Sequence, residues 1–418
     1  MVCIFVMCCV GCSRTTESQN TEREKLVIWA WDESFNIKAV NEAEKIFMNL
    51  NPNVEIEVVT MTQDDVILKL NTALSSGDYT GLPDIVLIED YRIQGYLTEY
   101  REDFADLSDI ASADDFAAYK TSVNQIDGKL YGIPFDSGAA VLFYRIDLIE
   151  ASGYTQKDME NLTWDKYIEI GKAVKEKTGK YMLTLNPNDL GQIRMMLQSA
   201  GSWYTDEEGN VNIKENQALK DAIITYQKIF DSGISKQVAD WSQFVSDFQK
   251  GEVASVPMGC WISQAIMTSE EQSGKWAVAA FPRMAQNPDS VNASSIGGGA
   301  WYVLKSAGNE ENAKKFLKET FATNISFLGE LADEIHLVST LKAVKIVDNY
   351  MNGIEFYNGQ NVGHDLLVWQ NDVPIVNYGD KTYEIEDGMR EVIQQVLEGE
   401  DINEVLEEYH KEIAQVTE

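Results

Sequence analysis

Between residues 25 and 88 the sequence switches repeatedly between two hydrophobic periods, and that alternation confines the amino-terminal part to a layered fold with a parallel sheet. Residues 25–31 (KLVIWAW) read as a strand. Residues 36–50 follow with Ala39, Ala43, Ile46, Phe47 and Leu50 at helical spacing. Residues 54–61 alternate as a second strand, and residues 64–75 carry Val66, Leu70 and Leu74 on one helical face. Residues 83–88 (PDIVLI) are a continuous apolar run of the kind buried on both faces of a parallel sheet. The β-α-β-α-β order predicts a doubly wound α/β lobe. In such sheets ligands bind beyond the carboxyl ends of the strands. That rule marks Trp31 and Asp32, the turn of residues 60–65 with Asp64, and Glu89, Asp90 and Tyr91 as candidate binding residues.

Residues 129–148 (KLYGIPFDSGAAVLFYRIDL) read as strand, kink, strand, because Gly132 and Pro134 interrupt an otherwise β-rich run. A chain passing between two lobes needs such a kink. Asp136 sits at the bend, where its carboxylate is expected to face the space between them. Gly297, Gly298 and Gly299 precede a second apolar strand, and their place before a strand does not fit a phosphate-cradling loop. They read as a second flexible crossing. At 418 residues the chain exceeds one core of ordinary size. Residues 25–135 with 297–340 are expected to form one lobe, and residues 136–296 with 341–418 the other. Trp261 and Trp301 follow glycines near the predicted crossings and are candidate ligand platforms. Trp29, Trp164, Trp241 and Trp276 read as packing.

In the second part Thr163 is placed to cap a helix running to about residue 177. A strand is expected at 181–185, helices at 190–200 and 216–231, and a hairpin at 203–213. Strands follow at 251–261 and 276–282, a helix at 309–321, and closing helices at 388–397 and 402–416.

Net charge is −33, which opposes nucleic acid and anionic membrane surfaces, since both require clustered Lys and Arg. Four of the five cysteines fall in the first twelve residues, so no disulfide framework is expected, and Cys260 reads as a small buried hydrophobe. His336, His364 and His410 lack metal-ligand spacing. Asp206-Glu207-Glu208 reads as a solvated turn, without the spacing of a calcium loop. Neither a metal nor a cofactor is expected. No nucleophile-base pair is recognisable, so the chain is not expected to be an enzyme.

The apolar run of residues 2–10 is too short to span a bilayer and ends at Gly11-Cys12 before a polar stretch. It resembles a bacterial lipoprotein signal. That resemblance implies removal of residues 1–11, lipidation of Cys12, and a tether over residues 12–24. No Lys or Arg precedes the run, and a start codon further upstream is expected.

This signal, together with IWAWD, PDIVLIEDY, KLYGIPFDSGAAVLFYR, FQKGEVASVPMGCW, GGGAWYVLKSAGNEENAKKFLKE and a helical carboxyl end, resembles the solute-binding proteins of carbohydrate ABC importers. The resemblance extends from Lys25 to Val416. It implies two α/β lobes joined by a multi-crossing hinge, a periplasmic-binding-protein-like fold of type II, with a sugar or oligosaccharide held between them. It further implies a monomer on the outer face of a bacterial membrane, delivering to permease subunits, with Asp32, Asp90, Asp136 and Trp261 at ligand-binding positions. The family's carboxyl-terminal aromatic has no clean match, leaving Trp369, Tyr378 and Tyr383 as candidates. The residue types suit a sugar, because hydroxyls want carboxylates and amides while the C–H face of a ring packs on a flat apolar surface. A plant-derived neutral oligosaccharide is the expected ligand. Two alternatives remain open on sequence: a lipid-anchored glycoside hydrolase, and the same fold holding a polyamine, an amino acid or glycerol phosphate. For a phosphate, Lys38, Lys69 and Arg92 are too scattered in sequence to form a cluster.

Overall fold

A computed structural model describes residues 24–417. The signal segment of residues 1–11, Cys12 and the tether up to residue 23 lie outside the described residues. Strand β1 (Glu24–Ala30) pairs in parallel with β2 (Val54–Thr60) on one side and β3 (Ile85–Glu89) on the other. Helices α1 (Asn36–Leu50) and α2 (Gln63–Ser76) make the two crossovers. Each forms where its apolar spacing is helical: α1 buries Ala39, Val40, Ala43 and Phe47, and α2 buries Val66, Leu70 and Leu74. Thr62 caps α2 by accepting from Asp65 N, and Gly77, with φ of 69°, ends it. Helix α3 (Asp90–Tyr100) begins immediately after β3. The sequence expectations include no helix here.

After the short helix α4 (Ala118–Thr121), a small ribbon of β4 (Gln125–Ile126) and β5 (Lys129–Leu130) leads into β6 (Gly132–Pro134). The chain then crosses to β7 (Ala139–Arg145), all seven residues of which are buried. In this second lobe β8 (Leu183–Leu185) and β9 (Ser235–Gln237) pair in parallel. The strands β10 (Ser255–Gly259), β11 (Trp276–Ala280) and β12 (Ser294–Ser295) all pair antiparallel with β7. The parallel pattern of the first lobe therefore does not carry over to the centre of the second, where partners of β7 run back along it. Residues 296–298 return the chain to the first lobe. There β13 (Gly299–Val303) inserts antiparallel between β3 and β6, giving the order β2-β1-β3-β13-β6.

A third passage follows the helix Ile325–Ile335, which ends at His336 with φ of 54°. Ser137 N donates to Val338 O at 2.8 Å, binding the first crossing to the third. Beyond it the chain lies on the second lobe, where Val278 N donates to the Gln360 side chain at 2.8 Å. The helices Thr382–Glu398 and Ile402–Thr417 close the chain, the former starting earlier than its sequence suggested.

The apolar interior is divided by sheet face and not by lobe. One cluster joins Val86, Ile88 and Tyr302 of the first sheet to Leu142 and Tyr144 of the second. The other joins Ile85, Leu87, Trp301 and Val303 to Val141 and Phe143. At about 1.5–3 kcal/mol for each large apolar side chain buried, both layers hold the lobes together across the hinge. No helix among the described residues is long and apolar enough to cross a membrane.

Candidate ligand site between the lobes

Because β1, β3 and β13 are neighbours, the carboxyl ends of β1 and β3 and the start of β13 share one edge of the first sheet. Trp31 is half-buried there and lines a small recess with Gln63, Glu89 and Arg92. Asp32 follows with φ of 60°, and its carboxylate accepts from Ser34 N at 3.0 Å and Ser34 Oγ at 2.7 Å. This residue therefore shapes its own turn while staying exposed. Asp64 lies in the first turn of α2 and is also exposed.

Four residues expected to meet a ligand are instead buried in the framework. Asp90, 2% exposed, pairs with Lys120 of α4, and its other oxygen has no partner among the described residues. Burial pushes its carboxyl up to about 6, against the pull of the Lys120 charge. Asp136, 5% exposed, accepts from Gly299 N at 2.9 Å and so ties the first crossing to the second. Burial raises its pKa as well, again opposed by Lys120. Tyr91 stacks on Trp203 at 5.1 Å and meets Tyr378 edge-on at 4.7 Å, while its hydroxyl accepts from Gly297 N at 3.2 Å. Trp301 is 0% exposed, at 5.4 Å from the Phe135 ring and 5.3 Å from that of Phe321. Its place after a glycine run did not reveal which sheet face its ring takes, and that face is the core.

Trp261 behaves differently. It leaves β10 in a short turn, stays half-buried, and donates its indole N–H to Ile296 O at 3.1 Å. The second lobe thus holds a flat ring against the second crossing, next to the edge that carries Glu89.

Facing Glu89 is a set of side chains that sequence spacing did not reveal. Tyr383, at the start of the helix Thr382–Glu398, donates its hydroxyl to Glu89 across the lobes. Arg92 lies 3.8 Å over the Tyr383 ring and 3.6 Å from Glu89. Arg194 approaches the same ring at 5.9 Å and pairs with Glu386 at 3.4 Å and Asp189 at 3.3 Å. Tyr204 donates to Glu386 at 2.9 Å, and burial raises the pKa of that carboxyl against the Arg194 charge. Of these, the sequence singles out Tyr383, as one candidate for the family's carboxyl-terminal aromatic, and sets Arg92 aside as too scattered from other basic residues to form a cluster. Arg194 and Glu386 come from helices 180 or more residues apart and meet only in three dimensions.

Residues 38–348 match the family described as bacterial extracellular solute-binding protein. The chain belongs to this family. This solute-binding protein is 38% identical over 382 residues to the lactose-binding protein of Rhizobium radiobacter, covering 91% of this chain and 90% of that one. It is 27% identical over 329 residues to the arabinooligosaccharide-binding protein of Bacillus subtilis, covering 76% and 73%. In fold it is similar to the galacto-N-biose-/lacto-N-biose I-binding protein of Bifidobacterium longum, solved with lacto-N-biose. The TM-score is 0.75 at 21% identity, covering 94% of this chain and 97% of that one. The two-lobed α/β architecture is therefore that of periplasmic binding proteins.

Each guanidinium of the solute-binding protein's cross-lobe wall stands on a carboxylate, Arg92 on Glu89 and Arg194 on Glu386 and Asp189. Such a wall offers hydrogen-bond donors and acceptors in both directions and leaves neither guanidinium without a carboxylate. No group of His, Cys, Asp and Glu able to hold a metal occurs among the described residues. Cys260 is buried, and burial pushes its thiol up to about 12, so it stays protonated and inert.

Proposed function

We propose that this protein is the capturing component of an ABC importer for a neutral, galactose-containing saccharide, held between Trp261 and the wall of Glu89, Arg92, Arg194, Tyr383 and Glu386. Trp31, Asp32 and Asp64, on the first lobe's edge, complete the site. The observation that carries the reading is the cross-lobe polar wall in which both guanidiniums stand on carboxylates, together with the half-buried Trp261 ring held at the second crossing. A ring stacked by its C–H face on Trp261 would present its hydroxyls to paired donors and acceptors. A phosphate would need a guanidinium free of its own carboxylate, and a polyamine would need carboxylates free of arginine. Similarity to the lactose-binding protein of Rhizobium radiobacter supports galactose in the ligand, where the sequence alone points to a neutral plant-derived oligosaccharide.

Calorimetric titration with lactose, maltose, spermidine and galactose 6-phosphate tests the reading. Lactose is expected to saturate at one per chain while the charged ligands give no heat. Tighter binding of the phosphate or the polyamine overturns it. Release of free galactose from lactose, scaling with protein, would put a glycoside hydrolase in its place.

The proposal includes anchoring through a lipid on Cys12 and delivery to permease subunits at the outer face of the membrane, by a monomer. A fatty acid analogue is expected to label the wild type and not Cys12→Ser; equal labelling of both removes the anchor.

A further inference from the structure

Trp241 opens the helix Trp241–Gln249, whose first turn is fixed by the Asp240 carboxylate accepting from Gln243 N at 2.8 Å. Its indole stacks on Phe244 with ring centroids 5.2 Å apart and planes 18° from parallel. It lies 5.9 Å from the Trp261 ring, tilted by 38°. From sequence Trp241 reads as packing. Yet 48% of it remains exposed, and it is the one aromatic among the large apolar side chains that stand exposed in the described residues. An exposed indole held in place by a cap and a stacked neighbour, and continuous with a ligand platform, marks an extension of that platform.

From this geometry we propose that Trp241 carries a further sugar ring beyond the one on Trp261, so that the protein takes oligosaccharides of three or more rings in preference to disaccharides. The inference rests on the proposed function. The occupant is another ring of the same ligand, because the indole adjoins Trp261 and offers an uncharged flat face suited to a sugar's C–H side.

Calorimetry with lactose and with galactosyl-lactose, on wild type, Trp241→Ala and Trp241→Tyr, reads the effect. Wild type is expected to bind the trisaccharide on the order of tenfold more tightly than the disaccharide. Trp241→Ala is expected to lose most of that ratio and Trp241→Tyr to keep it, with unfolding midpoints matching wild type. A ratio near one in wild type, or a ratio untouched by Trp241→Ala, overturns the inference while leaving lactose capture standing. Failure of both sugars to bind wild type overturns the proposed function itself.

Discussion

Trp261 and Asp136 look alike in sequence, each two residues from a glycine near a crossing, and the structure separates them by what their side chains touch. Trp261 keeps a partly exposed ring and spends its one polar group on Ile296. Trp261→Ala is expected to weaken lactose by about 30-fold, the equivalent of about 2 kcal/mol for a buried aromatic anchor, as read by titration. Asp136 instead holds Gly299 N in the interior. Asp136→Ala is expected to cost about 1–3 kcal/mol of folding stability by leaving that N–H unpaired, measured by urea unfolding. The third residue of the group, Asp90, sets a pH dependence. Packed against it are Lys120 of α4, the carboxylate of Asp136, and its chain neighbour Glu89. Its carboxyl titrates near 6 when folded and near 4, the ordinary value, when unfolded. Between those values the folded state binds more protons, so this group's contribution to stability is full below about pH 4 and is lost as pH rises through about 6. Asp90→Asn is expected to flatten the slope of stability between pH 4 and 6, and an unchanged slope would assign the titration elsewhere.

At the scale of elements, the first lobe was legible because its signals are local. Apolar spacing located α1 and α2, and a continuous apolar run located β3. Thr163 caps the helix Trp164–Thr178 as its sequence position implied, by accepting from Lys166 N. The second sheet was less legible, since the pairing of β7 with β10, β11 and β12 depends on contacts distant in sequence. Between residues 336 and 381 the chain runs largely in short turns broken by one helix, Val362–Trp369, and turns of that length carry no periodic signal. The cross-lobe wall was illegible for the same reason: a tyrosine, two arginines and their carboxylates come from the end of β3, from α3, from two helices of the second lobe and from the turn before one of them. One contact in that wall links elements of different lobes directly. Removing the Tyr383 hydroxyl from Glu89 in Tyr383→Phe is expected to favour the open arrangement and to enlarge the unliganded protein in small-angle scattering. An unchanged radius of gyration would mean that this bond does not report closure.

For the whole molecule, each apolar layer passes through both lobes, so neither lobe owns a complete interior. Thermal unfolding is expected as one calorimetric transition whose van't Hoff and calorimetric enthalpies agree; two resolved transitions would show that the lobes melt separately. The position of β13 has a consequence for how the chain is made. It sits inside the first sheet, between β3 and β6, yet it is encoded after every strand of the second lobe. A ribosome that has finished β6 has produced a sheet with an interior strand missing, and the exposed edges of β3 and β6 have no partner until residue 303 emerges. Premature folding is thereby postponed until most of the polypeptide exists, and an extended chain is the form that can thread an export channel.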